Sequence, residues 1–192
     1  MIKAGFICEG FTERYLLESQ SFKYLLASFN IQPLPVINAQ GAGNLLPHNI
    51  SAYLISLENQ EAGIIFILTD LDQNACITLT KERVRGRKQD IIIVAVRTIE
   101  AWFLASTRSM RILLAKPSFF FESPEDELQP FETIRKLLLQ HTGRGIGNSA
   151  SGKIKLIKRL IDKGIDLSEA AQHPNCPSAT YFIRKLSELN NT

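Results

Sequence analysis

The chain has 192 residues, 45% of them hydrophobic and 21% charged, and its formal net charge is +3, from 22 basic against 19 acidic side chains. That is ordinary globular composition, enough for one good core or for one domain with a small appendage. So slight a positive excess neither requires nor excludes a nucleic-acid partner, and three scattered cysteines (Cys8, Cys76 and Cys176) argue against a disulfide framework or a zinc site.

In chain order, the first apolar run, residues 4–8, reads as a buried strand and ends on Glu9-Gly10. It is too short for a secretory core, and no later run approaches the length of a membrane span, so a cytoplasmic protein without membrane contact is expected. Residues 13–29, rich in Leu, Phe and Tyr, suit a helix of imperfect periodicity. A strand is expected at residues 34–37, and a helix over 45–57 with Pro47 in its first turn. The clearest strands are residues 63–68 and 91–96, continuous runs rich in β-branched residues that imply a sheet covered on both faces. Alternating strand and helix implies βαβ units with right-handed crossovers.

After Val96 the pattern changes. Residues 98–106 read as a short helix carrying the sole tryptophan, Trp102. Residues 116–130 hold four acidic residues and three prolines and read as an irregular excursion. Helical patterns return at 131–140, 153–163 and 179–189. The expected architecture is an α/β core over residues 1–106, a mostly parallel, Rossmann-like sheet flanked by helices. A mainly helical extension, 107–192, packs on that core as part of one compact unit.

Three acidic residues share one context: Glu9 after the first strand, and Asp70 and Asp72 after the strand at 63–68. In a parallel sheet these positions fall at the carboxyl ends of strands, where open α/β folds bind ligands. Carboxylates converging there repel one another unless protons or a cation neutralise them, and a hard divalent cation prefers such oxygen donors. Gly10 leaves room for a phosphate and for an unusual turn into the next helix, which Thr12 could cap and whose first turn holds Glu13. Taken alone, Asp70 or Asp72 reads as a helix cap or a solvated turn residue; Glu9-Gly10 in the proper order tips the reading toward a metal site.

Glu9-Gly10-Phe11-Thr12-Glu13 followed by Asp70-Leu71-Asp72 resembles the Toprim pattern shared by topoisomerases, bacterial primases and overcoming-lysogenization-defect (OLD) nucleases. Ile99-Glu100-Ala101-Trp102-Phe103-Leu104-Ala105 and Cys176-Pro177-Ser178-Ala179-Thr180-Tyr181-Phe182 resemble a narrower branch, the DUF4276-type Toprim-like proteins. The resemblance implies a Toprim-like fold and a Mg2+ (or Mn2+) site at Asp70 and Asp72, with Glu9 as metal ligand or acid/base. It also implies a nuclease acting on nucleic acid, and an ATPase partner in phage-defence settings. Glu100 matches a position of that branch; it either pairs with Arg97 or approaches the carboxylates, and Glu13 is read first as a helix-terminal charge and second as an accessory ligand.

Gly147-Asn148-Ser149-Ala150-Ser151-Gly152-Lys153 matches the first part of a Walker A motif. Ile154 follows the lysine and helix rather than strand precedes the turn, which argues against nucleoside triphosphate hydrolysis. Lys81, Arg83, Arg85, Arg87 and Lys88 form a basic run beyond Asp72, and with Gly10 and Lys153 they are the candidate phosphate contacts, Arg83 and Arg85 foremost. His48, His141 and His173 show no metal spacing and read as structural or exposed. The rival function is a non-catalytic docking subunit for an ATPase, using Trp102 and Phe119-Phe120-Phe121 as an interface, although a core role suits these aromatics better.

Overall fold

The computed structural model describes residues 1–74, 76–84, 87 and 89–191, the side chain of residue 191 excepted. Strands β1 (Ile2–Cys8), β4 (Ile64–Asp70) and β5 (Ile91–Ala95) form the parallel centre of a sheet ordered β2-β1-β4-β5. β2 (Ile31–Pro33) pairs with the first half of β1, and β3 (Ile37–Asn38) pairs with its end. Every pairing is parallel, with Cys8 opposite Leu68 and Asp70 opposite Ala95. That register brings the carboxyl ends of β1, β4 and β5 side by side.

Alternation along the strands explains why both faces are covered. Phe6, Cys8, Phe66 and Leu68 enter the larger core, whereas Ile7, Ile65 and Ile67 enter the smaller one. The smaller core is closed by Leu54 and Leu57 of α3 (Ser51–Glu58) and Val84 of α4 (Ile77–Val84). The larger takes side chains from α1 (Phe11–Leu17), α2 (Gln20–Ser28), α5 (Ile99–Ala105) and α6 (Thr107–Leu114). It continues through α7 (Pro130–Thr142), α8 (Ala150–Asp162), α9 (Leu167–Gln172) and α10 (Pro177–Glu188). Phe182 of α10 joins the two halves of the chain, its ring 5.9 Å from those of Phe22, Phe66 and Trp102. Among the described residues no helix is long and apolar enough to cross a membrane.

Several local expectations need correction. The helix expected over 13–29 is two helices, because Ser19 accepts a hydrogen bond from Phe22 N at 3.2 Å and starts α2 afresh. The strand expected at 34–37 is mostly a break: residues 34–36 join β2, which ends at Pro33, to β3, which begins at Ile37, and Pro33 and Pro35 each lack the N–H that a continuous ladder uses. The helix placed at 45–57 begins only at Ser51, and Pro47 stands in the turn between a short 3₁₀ segment, Ala42–Leu45, and α3. α4, α6 and α9 answer to no expectation from the sequence, although α6 is amphipathic and buries Met110, Leu113 and Leu114. The excursion over 116–130 is irregular, as read from its prolines, and is tied down by polar contacts.

Candidate functional site

Five carboxylates, Glu9, Glu13, Asp70, Asp72 and Glu100, line one cavity of about 370 Å³ together with Lys153. Glu9 follows β1, Asp70 is the last residue of β4, and Glu100 sits in the first turn of α5, which follows β5. Glu13 reaches in from the first turn of α1, and Lys153 from the first turn of α8. The adjacency of β1, β4 and β5 therefore gathers residues as far apart in the chain as Glu9 and Glu100, and packing of α8 on α1 adds the lysine.

The groups are held individually. Glu9 Oε2 accepts from Thr69 Oγ1 at 2.7 Å and from Asp70 N at 3.4 Å. Asp70 Oδ1 accepts from Ile99 N at 2.9 Å, so Asp70 caps α5 across the sheet while standing in the cavity. The cap and the site thus use the same side chain. Gly10, the N-cap of α1, has φ −139°, open to any residue; a Cβ there would come within 2.9 Å of Glu13 Oε2, so a larger residue would push the end of that side chain aside. Thr12 does not cap α1 but is buried within it.

Glu100 is the least satisfied group. It is 1% exposed, and neither carboxylate oxygen has a hydrogen-bond partner; Lys153 Nζ lies 3.2 Å from Oε1 without hydrogen-bonding alignment. Of its two expected roles, approach to the carboxylates is the one the geometry adopts, not pairing with Arg97. Burial, reinforced by the charges of Glu100 and Glu9, raises the Glu13 carboxyl to about 7. Burial likewise holds Asp70 well above the usual carboxylate range, followed by the charges of Glu13, Glu100, Glu9 and, last, Asp72. Desolvation of Lys153 is outweighed by Glu100, Asp70 and Glu13, which leave its ammonium more basic than usual.

That order revises the emphasis of the sequence. Asp70 and Asp72 look like a pair, yet β4 ends at Asp70 and Asp72 is exposed with φ 51°, turned out of the strand. Glu13 and Glu100 bear on Asp70 more heavily. Arg83 is exposed on α4 and does not line the cavity, Arg85 and Lys88 lie outside the described residues, and Lys153 is present through α8. The Walker-like turn serves to place it: a Cβ on Gly152 would fall 1.9 Å from Gly147 O, so only glycine closes that turn. The one sequence signal for Gln40 and Gly41, which also line the cavity, is their position after the short β3.

The donors are all oxygens, and Glu100 Oε2, without a partner beside Asp70 and Glu13 while Oε1 faces Lys153, suits a hard divalent cation such as Mg2+ or Mn2+. Among the described residues no three His, Cys, Asp or Glu side chains are already drawn together around one ion position. The aromatic interface considered for a docking subunit is mostly core: Trp102 is fully buried and Phe119 nearly so, leaving Phe120 exposed.

No family model matches this chain, and no curated protein matches its sequence. Among solved structures it is similar to the C-terminal region of the Burkholderia pseudomallei OLD protein, with a TM-score of 0.44 and 16% sequence identity over 97% of this chain and 99% of that one. Superposition this loose leaves the activity to be argued from the cavity itself.

Proposed function

We propose that the chain is a divalent-cation-dependent phosphodiesterase acting on nucleic acid. The observation that carries the proposal is the convergence of five carboxylates and one lysine at the carboxyl ends of three adjacent parallel strands. Apart from the cap that Asp70 gives α5, such a crowding of like charges works against folding; its mutual repulsion is relieved by a cation, and the lysine suits a phosphate. The proposal agrees with the resemblance of the Glu9-to-Glu13 and Asp70-to-Asp72 motifs to Toprim nucleases, which also supplies an ATPase as candidate partner.

Asp70, Asp72 and Glu9 would hold the cation, with Glu13 and Glu100 as accessory ligands. When bound, the cation supplies charge stabilisation at the phosphate oxygens and acidifies water. Thr69 fixes Glu9 through Oε2, which leaves Oε1 either to complete the cation site or, instead, to accept a proton from the attacking water. Lys153 Nζ, close to Glu100 but not aligned with it, donates to an incoming phosphate oxygen. Gly10 keeps the approach to Glu13 open.

Calorimetric titration with Mg2+ and Mn2+, paired with cleavage assays on DNA and RNA, tests this reading. The native chain should bind the cation and cleave in its presence, and Asp70→Asn/Asp72→Asn should lose both. A native chain that neither binds nor cleaves would turn the reading to the docking subunit.

A further inference from the structure

Six non-glycine residues among those described have positive φ: Asn30, Gln40, Glu61, Asp72, Arg97 and Ala115. Three of them, Asn30, Glu61 and Ala115, follow α2, α3 and α6, where a left-handed residue is an ordinary way to end a helix. The other three form a set. Gln40, Asp72 and Arg97 each stand two positions beyond the last residue of β3, β4 and β5. Gln40 and Asp72 line the carboxylate cavity, and Asp72 N donates to Arg97 O at 2.7 Å, locking two left-handed residues together. Glycine or asparagine takes this conformation readily, whereas a long side chain takes it at a cost. An arginine at such a position points to work done by its side chain.

Arg97 lines a second cavity, of about 410 Å³, with Asp72, Gln73, Thr98, Leu128 and Gln129. Asp72 lines both cavities, so the two abut. Their chemistry differs. The first holds five carboxylates against one lysine; the second sets one guanidinium against the single shared carboxylate of Asp72, with two carboxamides, the Thr98 hydroxyl and Leu128, which is 71% exposed. Among the described residues no hydrogen bond or ion pair engages the Arg97 guanidinium, and the buried Thr98 Oγ1 beside it has no partner. A free planar fork of donors matches a phosphate, and carboxamides offer the donor and acceptor together that a base edge requires.

We propose that this second cavity is the subsite for the nucleotide adjoining the scissile phosphate. Arg97 takes that nucleotide's phosphate, Gln73 and Gln129 meet its base edge, and Leu128 supplies apolar surface. This rests on the phosphodiesterase reading and deepens it: the substrate is a polynucleotide strand crossing Asp72, not a mononucleotide.

The test compares native chain, Arg97→Gly and Arg97→Lys on a short single-stranded oligonucleotide and on bis(p-nitrophenyl) phosphate, which has no adjoining nucleotide. Glycine suits the backbone at this position, so Arg97→Gly folds while losing the cation; lysine keeps the charge and the native strain. For Arg97→Gly, kcat/KM on the oligonucleotide should fall about tenfold relative to that on the small diester, the size of one lost charge-assisted hydrogen bond. Arg97→Lys should restore most of it. In binding titrations without turnover, the slope of log K against log salt should drop by about 0.7, one single-strand phosphate contact.

An unchanged substrate ratio with an unchanged salt slope overturns the subsite. Equal losses on both substrates also overturn it, since Arg97 would then act only by holding Asp72. Salt-dependent oligonucleotide binding without any cleavage overturns the phosphodiesterase reading, while the slope of Arg97→Gly still decides the contact. No oligonucleotide binding by the native chain overturns both.

Discussion

Glu100 and Glu125 are both buried carboxylates, and their surroundings are opposite. Glu125, in the excursion between α6 and α7, accepts from Ser178 N at 2.9 Å and from Ser178 Oγ at 2.6 Å. Ser178 Oγ in turn accepts from Trp102 Nε1 at 2.7 Å, so one carboxylate ties the excursion to the start of α10 and to the middle of α5. Glu100, on the same α5, has two oxygens without a hydrogen bond. A satisfied buried charge holds a fold together; an unsatisfied one, crowded by others of its sign, holds a place for a ligand. One seven-residue helix meets both cases, the second at its first turn and the first at its middle.

Breaking the satisfied end should produce the largest effect. Glu125→Ala leaves the Ser178 N–H and hydroxyl buried without acceptor and should cost about 3 kcal/mol, read by urea unfolding. A loss under about 1 kcal/mol would show that water replaces the carboxylate and that the excursion is loosely held. The unsatisfied end should respond with the opposite sign. Asp70→Asn retains an oxygen to cap Ile99 N and removes a carboxyl whose ionisation is opposed by burial and by Glu13, Glu100 and Glu9. Without cation it should stabilise the chain by about 1 kcal/mol, the usual trade at a functional site. Added Mg2+ should raise the native Tm and leave that of the variant unmoved. If Asp70→Asn destabilises the cation-free chain, the cavity is a structural network and the contrast with Glu125 fails.

A smaller effect concerns pH. His173 fastens the same excursion: its Nδ1 accepts from Asn175 N at 3.1 Å, so its Nε2 carries the proton and donates to Phe121 O at 2.9 Å. Burial, opposed by the Phe121 carbonyl and the charge of Glu125, lowers the His173 pKa below the usual 6.5. The folded chain therefore resists taking up a proton that the unfolded chain accepts. The His173 contribution to stability is present above pH 6.5 and is lost as pH falls from there through the lowered value. Thermal melts across that window should show the decline in the native chain and a shallower one in His173→Gln; parallel curves would remove His173 from the account.

Much of the α/β core is legible without coordinates, because runs such as Ile64 to Leu68 and Ile91 to Ala95 can be buried on both faces only inside a parallel sheet. The acidic residues at the ends of β1 and β4 are legible for the same reason, since a strand that stops just before Glu9 or on Asp70 delivers it to the carboxyl edge. Breaks that depend on one hydrogen bond, such as Ser19 starting α2, are lost in a periodicity that two short helices share with one long one. Neighbours in space are lost altogether. That Glu13 and Glu100 bear on Asp70 more than Asp72 does follows from the order β1-β4-β5 and from the left-handed turn at Asp72. Lys153 enters the cavity only because α8 packs on α1 and Gly152 lets its turn close. The sequence by itself determined the three central strands and which carboxylates stand at the ends of β1 and β4, since burial pattern and strand length are local properties. Only the tertiary structure decided which charges meet, which of them are satisfied, and that Arg97 opens a second cavity beside the first, since those depend on packing between segments far apart in the chain.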